Sequence, residues 1–146
     1  MSQTPAQLQE LIDRDEIVQT VLAYATAVDT RDWATLRTLF TDDGAWEYAA
    51  SGERVSGPEA IAARIGASIE RLDATQHMNS NHVMALRGDE ADHTCYFQAH
   101  HLRGTQRFVG AGRYEDRLRR TADGWRFTRR RIVSVWHEGD PSIFAD

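Results

Sequence analysis

The spacing of apolar residues changes once along this chain, near Thr75, from helical repeats to strict alternation. Before Thr75, apolar residues recur every three to four positions, as on the buried side of a helix. After Thr75 they alternate with polar residues, and turn signals recur at 87–89, 103–105 and 122–124. The sequence therefore predicts an α+β fold, with N-terminal helices packed on one face of a curved antiparallel sheet.

The first expected helix is amphipathic and covers residues 8–28. Thr4 or Ser2 in front of Pro5 is typical of a helix start, because proline is well tolerated in the first turn. The apolar pattern weakens at Asp13-Arg14-Asp15, where an interruption of the helix is an alternative. We therefore expect one long helix, or two shorter ones, before the sheet.

Capping and turn residues define the remaining elements. Asp32 is expected to cap a short second helix that ends at Asp42-Asp43-Gly44. Gly57-Pro58 is expected to open a third helix. Strands are expected at 45–49, 54–56, 75–86, 91–102, 107–120 and 125–137.

The basic residues exclude some chemistry and raise one question about partners. All 17 are arginines, so the chain has no lysine for a Schiff base or for a phosphate-binding loop. Ten of them lie between Arg103 and Arg131, against only three acidic residues. A nucleic-acid surface is one interpretation of this stretch. The net charge of −5 and the need of a sheet for a solvated face favour the other, so we expect no nucleic-acid partner.

Length and hydropathy indicate the class of protein. The 146 residues are expected to form a single domain, 1–146. No apolar run approaches the roughly 20 residues of a membrane span, and the N-terminus lacks a secretory pattern, so we predict a cytoplasmic protein with no membrane partner. Cys95 alternates with Ala91, Phe97 and Ala99, and we interpret it as a small core residue.

Asp29 ends an apolar stripe of the first helix. Val18, Leu22 and Ala25 precede it at positions that share one helix face. Burial of a bare carboxylate is unfavourable, so Asp29 needs a partner, and an imidazole would make the pair a proton-transfer device. We predict that Asp29 hydrogen-bonds His77 and that His77 is a general base.

The histidines are expected to face different ways. Strict alternation would place Asn81 beside His77 as a pocket wall and would turn His82 to the opposite face. Of the adjacent His100 and His101, at most one can face the pocket. Neither the i, i+2 strand spacing nor the i, i+4 helix spacing of common metal sites occurs among the histidines. We therefore expect no metal and no other cofactor.

Two further polar residues are candidates for the same pocket. Tyr24 lies on the helix of Asp29 and can donate a hydrogen bond to a carbonyl or a leaving hydroxyl, although a plain core role is an equal alternative. Arg130 shares a strand face with Ile132 and Trp136, so it could stabilise a departing anion or an enolate. The alternative for Arg130 is a surface cation in the arginine-rich stretch.

Seven short blocks, spread over nearly the whole chain, form a recognisable pattern at 15–17, 28–33, 39–43, 57–61, 75–77, 112–114 and 123–127. Together they resemble the SnoaL-like branch of the nuclear transport factor 2-like superfamily. The resemblance implies a cone-shaped fold whose helices and curved sheet enclose a hydrophobic pocket. It also implies a homo-oligomer, a dimer or a trimer.

Within that superfamily the chain is most similar to lyases, namely scytalone dehydratase, bile acid 7α-dehydratase and hexachlorocyclohexane dehydrochlorinase. The resemblance places their Asp-His dyad at Asp29 and His77 and a functional tyrosine at Tyr24. It places a functional arginine at Arg130, with His100 a weaker correspondence. The residues that we expect to bind substrate are Asn81, His100, Arg130, Tyr114 and Trp136.

These observations lead to one main expectation and two alternatives. The main one is a cofactor-independent dehydratase-type lyase that acts on a small hydrophobic cyclic molecule. The first alternative is a noncatalytic protein that binds such a molecule. The second is an isomerase or polyketide cyclase of the same superfamily, which would use the same base without expelling a leaving group.

Overall fold

The computed structural model describes Ser2 and residues 4–145, and it contains three α-helices, six strands and one 3-10 turn within that part of the chain. The helices are α1 (Pro5–Thr30), α2 (Trp33–Thr38) and α3 (Pro58–Ile69). The strands are β1 (Phe40–Tyr48), β2 (Glu53–Ser56), β3 (Ala74–Arg87), β4 (Glu90–Arg103), β5 (Gln106–Thr121) and β6 (Gly124–Glu138), followed by the 3-10 turn Pro141–Phe144.

Helix α1 is continuous through Asp13-Arg14-Asp15, so the alternative of two shorter helices is wrong. It begins with a capping box in which the side chains of Thr4 and Gln7 bond each other's backbone amides. Asp13 faces the protein interior, where it accepts hydrogen bonds from Arg120 and from the indole of Trp125. The polar residue that weakens the pattern is therefore a tertiary anchor of the helix.

The buried side of α1 differs by one position from the predicted stripe. Ile17, Val21, Tyr24 and Val28 are almost fully buried, whereas Leu22 is 39% exposed. Leu22 is therefore wrongly placed in the predicted stripe, because the core takes Val21 beside it, whereas Ala25 of the same stripe is buried as predicted. Asp29 consequently lies at the border of the buried row rather than at its end.

The six strands form one open, curved sheet in the order β2-β1-β6-β5-β4-β3. The pair β1 and β6 is parallel, and the other neighbours are antiparallel. The expectation of a wholly antiparallel sheet is therefore wrong, since the pairing of two strands so distant in the chain leaves no mark in local alternation. The helices pack against this sheet as the fold class predicted.

Local signals placed α2 and α3 well but misplaced one boundary. Asp32 caps α2 by accepting a hydrogen bond from the amide of Thr35, and Gly57-Pro58 opens α3. Strand β1 begins at Phe40, so Asp42-Asp43-Gly44 lies within the strand instead of ending α2. No helix in the described part of the chain is long and apolar enough to cross a membrane.

Candidate active site

The carboxylate of Asp29 contacts His77 through two of its atoms. Oδ1 lies 2.7 Å from Nδ1 of the imidazole, and Oδ2 accepts the backbone amide of His77 at 2.8 Å. The hydroxyl of Thr75 donates to Oδ1 at 2.9 Å. The predicted contact is therefore present, and three donors hold the carboxylate where α1 ends beside the start of β3.

These hydrogen bonds also determine the charge of the pair. Burial opposes ionisation of Asp29, but the hydrogen bonds from His77 and Thr75 outweigh it and keep the pKa of Asp29 below its usual value. An ionised carboxylate can only accept, so Nδ1 of His77 carries a proton and Nε2 of neutral His77 has the free lone pair. The arrangement presents a basic nitrogen whose protonated form the carboxylate can stabilise.

His77 lies on the wall of a cavity of about 740 Å³ between the sheet, α1, α3 and the C-terminal turn. Aromatic side chains supply much of this wall, among them Trp46, Tyr48, Phe97, Phe108 and Phe144. Aliphatic side chains from α1 and α3 contribute Val28, Ile65 and Ile69. A mostly apolar cavity with a few polar groups is typical of a small-molecule site.

Tyr24 is buried and lines the same cavity. Its hydroxyl oxygen accepts a hydrogen bond from the indole of Trp46 at 3.2 Å. Burial raises the pKa of Tyr24, so its hydroxyl keeps a proton that it can donate. Tyr114 and Trp136, two of the expected substrate-binding residues, also line the cavity, Tyr114 deep inside and Trp136 about half exposed.

A β-bulge in β3 changes the faces that alternation predicted. The register with β4 shifts between Ser80 and Val83, and Asn81 takes a left-handed conformation with φ 56°. Asn81 is consequently exposed and lies away from the cavity, so its predicted role in substrate binding is wrong. The same bulge turns His82 to the face of His77, where it contacts His93.

The choice between the adjacent histidines of β4 is also corrected. His101 lines the cavity, whereas His100 points to the other face of the sheet. His101 packs edge-on against His77, with ring centroids 6.1 Å apart, and against Phe144 at 5.0 Å. Burial and the nearby His77 lower the pKa of His101 to about 4, so this imidazole is neutral near pH 7.

Arg130 is fully buried beneath the cavity rather than lining it. Its guanidinium makes two hydrogen bonds of 2.9 Å to Asp116 and stacks 3.9 Å from the ring centroid of Tyr114 and 4.3 Å from that of Tyr24. The expected contact of Arg130 with substrate is therefore wrong. Cross-strand pairing of Asp116 with Arg130 explains the difference, because the carboxylate binds the cation in the core.

The sequence analysis did not predict His101 in the cavity or the contact of His93 with Asp116, and only the first of these has a signal in the sequence. The buried alternation of Ala91, Cys95 and Ala99 on β4, extended by two residues, reaches His101 rather than His100. The contact of His93 with Asp116 at 2.9 Å joins neighbouring strands, and no local pattern predicts it.

Comparison with known proteins gives a family. A model described as SnoaL-like domain matches residues 9–131 of this chain. An uncharacterised protein of Mycobacterium tuberculosis is 30% identical over 124 residues, which cover 83% of this chain and 84% of that protein. The segment that the SnoaL-like model matches includes Asp29, His77 and Tyr24 and ends within β6.

Solved structures share the fold. A scytalone dehydratase candidate from Novosphingobium aromaticivorans superposes with a TM-score of 0.81 at 21% identity, over 88% of each chain. A hexachlorocyclohexane dehydrochlorinase from Novosphingobium barchaimii superposes with a TM-score of 0.81 at 19% identity, over 92% of this chain and 94% of that chain. At these identities the likeness shows a common architecture.

Proposed function

The chain belongs to the SnoaL-like domain family of the nuclear transport factor 2-like superfamily, and from that premise we propose that it is a lyase. The proposed reaction eliminates water or a similar leaving group from a small, mostly apolar cyclic molecule, without a cofactor. The observation that carries this proposal is the hydrogen bond of 2.7 Å between Asp29 and His77 on the wall of an apolar cavity. The named activities of the two structural neighbours are eliminations of the same kind.

His77 is the proposed base. Its Nε2 takes a proton from a substrate carbon, and the electron pair of that C–H bond forms a carbon–carbon double bond. The bond to the leaving group breaks as the leaving group departs with its electron pair. Asp29 stabilises the imidazolium through Nδ1 without itself taking the proton. Transfer of this kind typically contributes about 10²- to 10⁴-fold in rate.

Two neutral side chains near His77 can donate hydrogen bonds to a bound molecule. The Tyr24 hydroxyl accepts from Trp46 and so keeps its own proton for a departing oxygen. The imidazole of His101 is uncharged near pH 7 and offers a second N–H close to His77. We propose Tyr24 as the donor to the leaving group and His101 as a group that orients the substrate.

The substrate class follows from the cavity. Its volume of about 740 Å³ lies within the usual range of roughly 300–1,000 Å³ for small-molecule sites. The wall carries rings from β1, β4, β5 and the C-terminal turn, and the one arginine among its described lining residues, Arg64, is bound by Glu53. A neutral ring system fits this lining better than a charged metabolite does.

We also propose that the protein forms a homodimer or homotrimer. The outer face of the sheet exposes apolar side chains, with Tyr96 56% and Val83 60% exposed. Burial of such side chains against a second copy is favourable. Light scattering at high micromolar concentration checks this, and a strict monomer would contradict it.

The proposed reaction is tested with the substrates named for the structural neighbours. Hexachlorocyclohexane reports elimination through chloride release, and scytalone reports it through loss of water measured by mass spectrometry. We expect the wild-type protein to turn over at least one of them and His77→Gln to lose that activity. Fluorescence of Trp46 and Trp136, both on the cavity wall, measures binding separately. Binding of both compounds without turnover would favour the noncatalytic alternative, and a rearranged product of unchanged mass would favour an isomerase.

A further inference from the structure

His82, His93 and Cys95 form a second cluster of reactive side chains, outside the cavity lining. One potential ligand atom from each residue lies within 4.8 Å of the other two. Nδ1 of His82 and Nε2 of His93 are 3.0 Å apart. His93 and Cys95 are almost completely buried, and His82 is partly buried. None of the three is among the described residues that line the cavity.

The backbone brings these side chains together from two strands. His93 and Cys95 are two residues apart on β4, so both point to the inner face of the sheet. His82 reaches that face only because of the bulge at Asn81, a non-glycine residue held at φ 56°. Non-glycine residues in this conformation are uncommon and are concentrated at functional positions. Here the conformation turns the imidazole of His82 from the outer face of the sheet towards His93.

The far side of His93 is arranged like the outer shell of a metal site. Nδ1 of His93 lies 2.9 Å from Asp116, and both side chains are fully buried. The carboxylate accepts, so His93 carries its proton on Nδ1 and presents the lone pair of Nε2 to His82 and Cys95. Arg130 in turn fixes Asp116 with two hydrogen bonds. A carboxylate that orients a ligating histidine in this way is the common second layer of zinc sites.

We propose that His82, His93 and Cys95 bind a zinc-class transition metal ion. Two imidazoles and a thiolate are ligands that zinc and cobalt(II) prefer. Tetrahedral Zn–N bonds place neighbouring nitrogens about 3.3 Å apart, close to the separation of 3.0 Å between His82 and His93. Binding replaces the thiol proton of Cys95, which leaves to solvent, by a metal–sulfur bond.

The ion would tie the bulge of β3 to β4 and so stabilise the sheet. No two histidines have the spacing of a common metal site, but His93 and Cys95 are an i, i+2 pair of a histidine and a cysteine. The site is separate from the proposed base His77, so elimination and metal binding are independent proposals.

Cobalt(II) titration of tag-free protein stripped with a chelator tests the site. We expect a single equivalent to give the intense visible bands of tetrahedral cobalt and a near-ultraviolet band of sulfur-to-cobalt charge transfer. Cys95→Ala should abolish the charge-transfer band, and His82→Ala should weaken cobalt binding at least about 100-fold. The matched control is His100→Ala, since His100 lies on β4 but faces away from the cluster, and it should bind as the wild type does.

Thermal melts in the presence of zinc test metal binding without the cobalt spectrum. The melting temperature of the wild type and of His100→Ala should rise with zinc concentration, and that of His82→Ala should not. Circular dichroism establishes that His82→Ala, whose side chain is only partly buried, is folded. Absence of a one-to-one cobalt complex at high micromolar concentration, or an unchanged complex in both Cys95→Ala and His82→Ala, would overturn the proposal.

Discussion

The protein contains two Asp-His contacts that look alike by distance and differ in everything around them. Asp29 and His77 are 2.7 Å apart, with side chains 20% and 11% exposed. Asp116 and His93 are 2.9 Å apart and fully buried. The first pair borders the cavity, whereas the second lies beneath it in the core.

The two carboxylates differ in the groups that they bind besides the imidazole. Asp29 accepts hydrogen bonds from a hydroxyl and an amide, both neutral, so its charge remains available to an imidazolium at His77. The charge of Asp116 is already matched by the guanidinium of Arg130. Protonation of His93 would therefore add an unmatched charge to the core. An Asp-His contact is suited to proton transfer only where the carboxylate has no other cation and the imidazole reaches a cavity.

The largest expected effect is a difference in stability between variants of the two carboxylates. Asp116→Asn removes the counter-charge of buried Arg130, and loss of one member of a buried ion pair typically costs about 3–5 kcal/mol. Asp29→Asn should cost only about 1–2 kcal/mol, because its partners are neutral and close to solvent. Urea unfolding of both variants measures the difference in the free energy of unfolding. Equal losses would contradict the distinction between the two carboxylates.

The second prediction concerns activity, for which we expect Asp29 to be the important carboxylate. Asp29→Asn keeps the shape of the side chain but cannot stabilise imidazolium, so turnover of a substrate found in the elimination assay should fall by at least about 100-fold. A folded control with the same substitution at the exposed Asp123 should keep full activity. If Asp29→Asn retained its turnover, the pair would be a structural contact like that of Asp116 and His93.

The third prediction concerns the pH dependence of stability that arises from His101 on the cavity wall. The pKa of His101 is lowered to about 4 in the folded protein, so the unfolded chain binds more protons between pH 6.5 and pH 4. Stability should therefore fall as pH drops through this window, by about 1–2 kcal/mol at pH 5 from His101 alone. His101→Phe should remove that part of the pH dependence in urea unfolding at pH 7 and pH 5. An identical pH dependence in the variant would show that His101 is not held neutral.

The smallest expected effect is that of Tyr24→Phe. The change removes one hydroxyl, the proposed donor to the leaving group, and leaves His77 and Asp29 in place. Turnover should fall about tenfold or less, as expected for one hydrogen bond. A loss as large as that of Asp29→Asn would instead assign the proton transfer to Tyr24.

Local signals were sufficient for part of this molecule. The cap of Asp32 and the start of α3 follow from residue type and spacing. The position of Asp29 predicts a partner for its carboxylate, and the candidate partner His77 makes that contact. Asn81 and His82 could not be placed, because a bulge of one residue exchanges the two faces of a strand and leaves no mark in composition.

The pairing and register of the strands could not be predicted from local patterns either. The parallel contact of β1 with β6 joins segments that are far apart in the sequence. Asp116 and Arg130 lie on the consecutive strands β5 and β6, but a register shift between Arg117 and Leu118 decides which residues face each other there. Arg130 was therefore predicted to reach the cavity, whereas its guanidinium binds Asp116 beneath the cavity. His101 could have been found, since the buried alternation of β4 leads directly to it.

The central claim is that His77, supported by Asp29, removes protons from carbon in an apolar cavity. The most direct test uses 5-nitrobenzisoxazole, a neutral aromatic compound whose ring opens to a coloured phenolate when a base removes its C–H proton. The wild-type protein should accelerate this ring opening above buffer, with a rate that falls about 10²-fold or more in His77→Gln. His100→Gln, on the outer face of β4, should react as the wild type does. Equal rates for the wild type and a folded His77→Gln would contradict the account.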